Sequence, residues 1–130
     1  MAAKNLAFLK LQLARISNQN AFTGYGEGYV MVNAVRYEHS LVVLPDRPVE
    51  SWAVAGADTL REEDLEYLAG LGAEIVLLGT GNTLRFVDQR LLQSLARACI
   101  GVELMDTRAA CRTYNILVAE GRKVAAALIL

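Results

Sequence analysis

The chain has 130 residues, 54% of them hydrophobic and 21% charged, with two prolines; at that length one domain can bury about two thirds of its surface, and the chain is too apolar for a disordered segment. A formal net charge of -1 leaves no global positive field to draw it onto nucleic acid or anionic lipid. With only Cys99, Cys111 and His39 as soft ligands, neither a disulfide framework nor a multi-histidine zinc site can be assembled, and no metal or cofactor is expected.

Residues 1–20 read as a basic N-terminal arm, carrying Lys4, Lys10 and Arg15 and no acid before Glu27. Lys10 interrupts the apolar stretch that a secretory signal requires. The arm is expected to add an edge strand on Leu9, Leu11 and Leu13, or to serve as a mitochondrial presequence if the source is eukaryotic. Residues 21–130 read as a single α/β domain. A loop loosened by Gly24, Gly26 and Gly28 precedes an antiparallel meander. Its strands are residues 29–32, Val35-Arg36-Tyr37 after a turn at Asn33-Ala34, and residues 40–44, ended by Pro45. Trp52-Ala53-Val54 is predicted as a further short strand.

From there helices and strands alternate. Thr59 with Glu62 matches a capping box for a helix whose stripe is Leu60, Leu65, Leu68 and Leu71, stopped by Gly70 and Gly72. Residues 74–78 read as a strand, in which the uninterrupted apolar run after Glu74 is the mark of a strand covered on both faces. Asp88 caps a second helix through Leu91, Leu92, Leu95 and Ala96. A strand over residues 100–105 follows, then a third helix capped by Asp106 or Thr107 and ended by Gly121, then a last strand over residues 123–130. This order implies crossovers to a parallel core within a mixed sheet, in a three-layer α/β fold. Cys99 and Cys111 lie in apolar stretches and read as reduced, buried thiols. The longest uncharged apolar run, residues 124–130, is far short of the roughly 20 residues of a membrane span, and the chain reads as cytoplasmic.

Chemistry is concentrated at two turns. Gly79-Thr80-Gly81 leaves the carboxyl end of a buried parallel strand, where open α/β sheets place ligands. It lacks the third glycine of a dinucleotide fingerprint and the Gly-Lys-Ser/Thr of a phosphate loop. Asp106-Thr107-Arg108 leaves the neighbouring strand, so the two turns are expected to share a crevice. In it Gly79, Thr80, Gly81, Asn82 and Thr107, with Arg112 or Asn115 further along the helix, would bind a small carboxylate or phosphate. The plainer account makes the glycines an ordinary turn, and Thr113 and Asn115 partners of loop backbone. Both accounts stay open. His39 beside Ser40 does not make a triad, because neighbours in a strand face opposite ways.

Gly79-Thr80-Gly81, the stretch Gly101-Val102-Glu103-Leu104-Met105-Asp106-Thr107, and Ala110-Cys111-Arg112-Thr113-Tyr114-Asn115-Ile116-Leu117 through Glu120-Gly121-Arg122, taken in order, resemble a known family. It comprises small α/β domains of unknown function from bacteria and archaea, with an assembly factor of mitochondrial respiratory complex I among its eukaryotic members. The similarity extends to the region of Tyr37 to Ser40 and Trp52. It implies a mixed central sheet, no catalytic residues to carry over, and a role in protein assembly through contact with partners. Where relatives often have a proline shortly after the Gly-Thr-Gly turn, this chain has Phe86-Val87-Asp88. Two functions are therefore expected: a non-enzymatic assembly or interaction factor with a protein partner, or a small-anion binder or weak enzyme in the crevice. A homodimer is expected if the strands 29–32 and 41–44 leave an apolar sheet edge.

Overall fold

The computed structural model describes residues 18–130. The edge strand and the presequence considered for the basic arm fall on residues 1–17 and so lie outside the described residues. The elements in chain order are β1 (Phe22–Gly26), β2 (Tyr29–Val32), β3 (Val35–Tyr37), β4 (Leu41–Val43), β5 (Glu50–Ser51), α1 (Glu62–Ala69) and β6 (Ile75–Gly79), then α2 (Gln93–Arg97), β7 (Gly101–Met105), α3 (Thr107–Ala119) and β8 (Val124–Leu128). Strands β1 to β3 form an antiparallel three-stranded sheet, and the others a mixed five-stranded sheet in the order β5-β4-β8-β6-β7. Within the larger sheet β6 runs parallel to both β7 and β8, while β4 is antiparallel to β8 and β5.

Period-two alternation divides this sheet into two apolar faces. Val76 and Leu78 of β6, Ala125 and Ala127 of β8 and Val42 of β4 pack with Leu65, Leu68 and Leu95 from α1 and α2. Leu77, Val124, Ala126, Leu128, Leu41 and Val43 face the other way, against Ala110, Cys111, Tyr114 and Val118 of α3 and Phe22, Val30 and Val32 of the small sheet. The crossover from β6 reaches β7 on one side, and that from β7 returns past β6 to β8. The two crossover helices accordingly lie on opposite faces, and the fold is three-layered. β6 sits between two parallel neighbours with Val76, Leu77 and Leu78 fully buried, as its unbroken apolar run predicts.

Several local expectations are corrected. Gly24 and Gly26 lie in β1 and do not loosen a loop. A β-carbon on Gly26 would run into the Tyr29 ring, its cross-strand partner, so the glycine is the floor on which that ring lies. The strand expected at Trp52-Ala53-Val54 is Glu50–Ser51; after the Trp52 amide bonds the Ser40 carbonyl at 2.9 Å, the chain folds tightly, Val54 N–H to Trp52 C=O at 2.8 Å, and leaves the edge. Thr59 does not cap α1. Its hydroxyl closes a 3-10 turn on Gly56, Leu60 is extended and buried, and the helix is capped two residues later, at Arg61, with Asp64 accepting from the Arg61 amide at 2.9 Å. Asp88 does cap its segment, by accepting from Arg90 N–H, but the segment opens as a 3-10 turn over Gln89–Leu92 before α2. Cys99 is exposed, in a left-handed turn at φ 58, whereas Cys111 is buried as expected. β2 and β4 are interior strands of their sheets, so the edges of the described sheets are β1, β3, β5 and β7.

Candidate functional site

Because β6 and β7 are parallel, with Gly79 opposite Met105, their trailing turns meet at one end of the sheet. The Thr80 amide donates to Met105 C=O at 2.9 Å and the Thr107 amide to Gly81 C=O at 2.9 Å. The structure therefore brings Gly79, Thr80, Gly81 and Thr107 together, but as a sealed seam, with Asn82 exposed beside it. Thr80 is 3% exposed and its Oγ1 donates toward Thr83 C=O and accepts from Arg85 N–H, both at 2.9 Å. Thr107 is 5% exposed; its Oγ1 donates to Ile129 C=O at 2.8 Å and accepts from Gly81 N–H at 3.0 Å. Gly79 is required by packing: a β-carbon there would stand 2.8 Å from Leu128 Cδ2 and 3.1 Å from Thr107 Cα. Gly81 holds φ 107, a conformation that side chains rarely adopt.

Arg112 and Asn115 turn away from the seam. The Asn115 side chain imitates a strand neighbour, donating to Phe22 C=O at 2.8 Å and accepting from Phe22 N–H at 2.9 Å, and so fastens β1 to α3. Arg112 Nη1 donates to the Tyr25 hydroxyl at 2.8 Å, a bond that holds the guanidinium more firmly protonated than usual. Asp106 caps α3 by accepting from Ala109 N–H at 2.9 Å.

Outside the seam lies a notch of about 90 Å³ between the β1–β2 hairpin, Gly81 and Asn82, the first turn of α3 and the residues that follow β8. Asn82 and Arg108 are its exposed polar lining, and Tyr25 and Tyr29 its aromatic wall. The Arg108 and Arg112 Cζ atoms stand 6.0 and 5.8 Å from the Tyr25 ring centroid, and Arg36 stacks on Tyr29 at 3.8 Å. Sequence reasoning passed over Tyr25, Tyr29 and Arg108. The available signal was Tyr25 and Tyr29 interleaved with glycines, together with arginines at i and i+4 on one helix face.

Other chemistry-bearing groups do not converge. Burial pushes the Cys111 thiol up to about 12, so it stays protonated at neutral pH. Among the described residues no three His, Cys, Asp or Glu side chains cluster for a metal, and no helix is long and apolar enough to cross a membrane. A second cavity, about 340 Å³, opens at the opposite end of the sheet beside Arg47, Arg122 and Lys123. Its cations lie near the carboxyl ends of α1 and α3, where they offset the helix dipoles; Arg47 donates to Leu71 C=O at 2.9 Å.

The chain is similar to several known proteins. It is 27% identical over 122 residues to the 13 kDa major membrane protein of Francisella tularensis subsp. holarctica, covering 93% of this chain and 99% of that one. It is 35% identical over 107 residues to human NADH dehydrogenase [ubiquinone] 1 alpha subcomplex assembly factor 3, covering 81% of this chain and 58% of that longer protein. A crystal structure of a Bordetella parapertussis protein superimposes with a TM-score of 0.82 at 43% identity, over 85% of this chain and 95% of that one. A family profile described as Protein of unknown function (DUF498/DUF598) matches residues 22–129. Family resemblance in the motifs, the three-layer fold and a match that spans both turns of the seam agree, and the chain belongs to that family, together with the complex I assembly factor.

Proposed function

We propose that the protein is a non-enzymatic assembly or interaction factor that works by contact with a protein partner, in the cytoplasm. The observation that carries this reading is the 35% identity with the human assembly factor over 107 residues, 81% of this chain. The seam supports it physically. Hydroxyls that would have to donate to a substrate are committed to the backbone carbonyls of Thr83 in the turn and of Ile129 just after β8, and a buried hydroxyl gives up such bonds at a cost of about 1–3 kcal/mol each. The test is affinity capture with chemical crosslinking from native extract of the source cells, across a range of salt. A partner recovered in stoichiometric amount is expected; recovery of none at any salt concentration would sink the reading.

A second reading, a binder of small anions, is favoured by the notch with Arg108 and Asn82 on its lining. Its volume of about 90 Å³ is well below the roughly 300–1,000 Å³ of pockets that enclose drug-sized ligands, so its ligand would have the size of inorganic phosphate or acetate. Occupancy must stabilise the fold. Phosphate at millimolar concentration should raise the melting temperature, and an unmoved transition would remove this reading.

A further inference from the structure

The side of α3 that faces the hairpin carries two guanidiniums with no carboxylate opposite them. Arg108 and Arg112 are exposed and one helical turn apart, and the ion pairs among the described residues involve Arg36, Arg61 and Arg90 instead. Like charges at that spacing repel by a few tenths of a kcal/mol. The acids on this side are Glu27 in the hairpin turn and Asp106, and neither makes an ion pair among the described residues; Asp106 caps α3, and its charge acts on Arg112 from beyond ion-pair distance. Tyr25 lies against both guanidiniums and ties down Arg112 through its hydroxyl. The forks are thereby partly ordered before any ligand arrives, which lowers the entropy lost on binding. Tyrosine and arginine are also the residues most enriched among those that dominate protein interfaces.

We infer that this notch is where the partner docks, and that it receives an acidic side chain from an exposed loop of that partner. The inference rests on the interaction reading above. A glutamate or aspartate carboxylate would accept from Arg108, which lines the notch, with the Arg112 charge one helical turn along adding to the attraction, while its methylene stem packs on Tyr25. The volume decides the kind of occupant. About 90 Å³ admits one side chain and leaves the rest of the ligand outside, as suits a peptide segment lying across the hairpin and α3.

The test is an amide NMR titration of the full chain with a blocked hexapeptide of alternating glutamate and glycine, its glutamine counterpart, and inorganic phosphate. The glutamate peptide should shift Gly26, Gly28, Gly81 and Asn82 with a salt-sensitive affinity. Arg108→Gln with Arg112→Gln should weaken it by about tenfold or more, the loss of a charge-assisted bond, in a protein whose spectrum otherwise keeps its dispersion. Equal shifts with the glutamine peptide, shifts centred on Arg47, Arg122 and Lys123, or an affinity unmoved by salt would overturn the proposal. Phosphate binding at least as well as the peptide would also overturn it, in favour of a free anion. The two readings separate in the capture experiment. If the wild-type protein and the double variant retain the same partner equally, the notch is wrong and the assembly reading stands; if the wild-type protein captures nothing, both fall.

Discussion

The two sides of α3 use similar polar residues for opposite ends. On the inner side, Thr107 and Tyr114 are buried and fully bonded: the Tyr114 hydroxyl donates to Asn20 C=O at 2.9 Å, and its ring meets Phe22 edge-on. On the outer side, Arg108 and Arg112 remain exposed, with only Tyr25 for company. A polar group becomes structure when unpaired backbone lies within its reach and remains available for binding when none does. The seam that looks most like a binding loop in the sequence is thus the less available of the two.

Breaking the inner side should cost most. Tyr114→Ala removes a fully buried ring together with its hydroxyl bond and should lower unfolding free energy by about 3–5 kcal/mol in urea denaturation; a loss under 1 kcal/mol would mean that the inner side does not hold the sheets together. Thr107→Val keeps the shape but strands Gly81 N–H and Ile129 C=O, for about 1–3 kcal/mol. Thr107→Ser should recover most of that, and an equally unstable serine variant would show that the methyl group, not the seam, matters. Asp106→Ala removes the cap that serves both sides and should cost about 1 kcal/mol by thermal melting. Arg108→Gln with Arg112→Gln sharpens the contrast, since stability should change by no more than about 0.5 kcal/mol while glutamate-peptide affinity falls by about tenfold or more.

What could be read from the chain beforehand depended on local signals. The apolar run of β6, the cap at Asp106 and the left-handed Gly121 at the end of α3 are each set by neighbours in sequence, and the structure bears them out. The meeting of the Gly79 and Thr107 turns followed from strand direction alone. By contrast, β1 was hidden because its glycines make sense only beside the Tyr29 ring across the hairpin. The allegiance of the candidate residues was equally non-local. Thr107 is satisfied by Ile129, 22 residues on, and Arg112 by Tyr25, 87 residues back, and nothing near either position announces its partner.

The contrast between the two cysteines has a practical side. Cys111 is 1% exposed and its thiol is held protonated, whereas Cys99 stands in solvent at the turn before β7. A maleimide dye or nitroxide added near neutral pH should therefore attach at a single place in the described residues of the unaltered protein. That place lies one five-residue strand from the end of the sheet that carries the notch, roughly 17 Å along β7. Energy transfer or paramagnetic broadening from it would register a partner's arrival without any engineered residue.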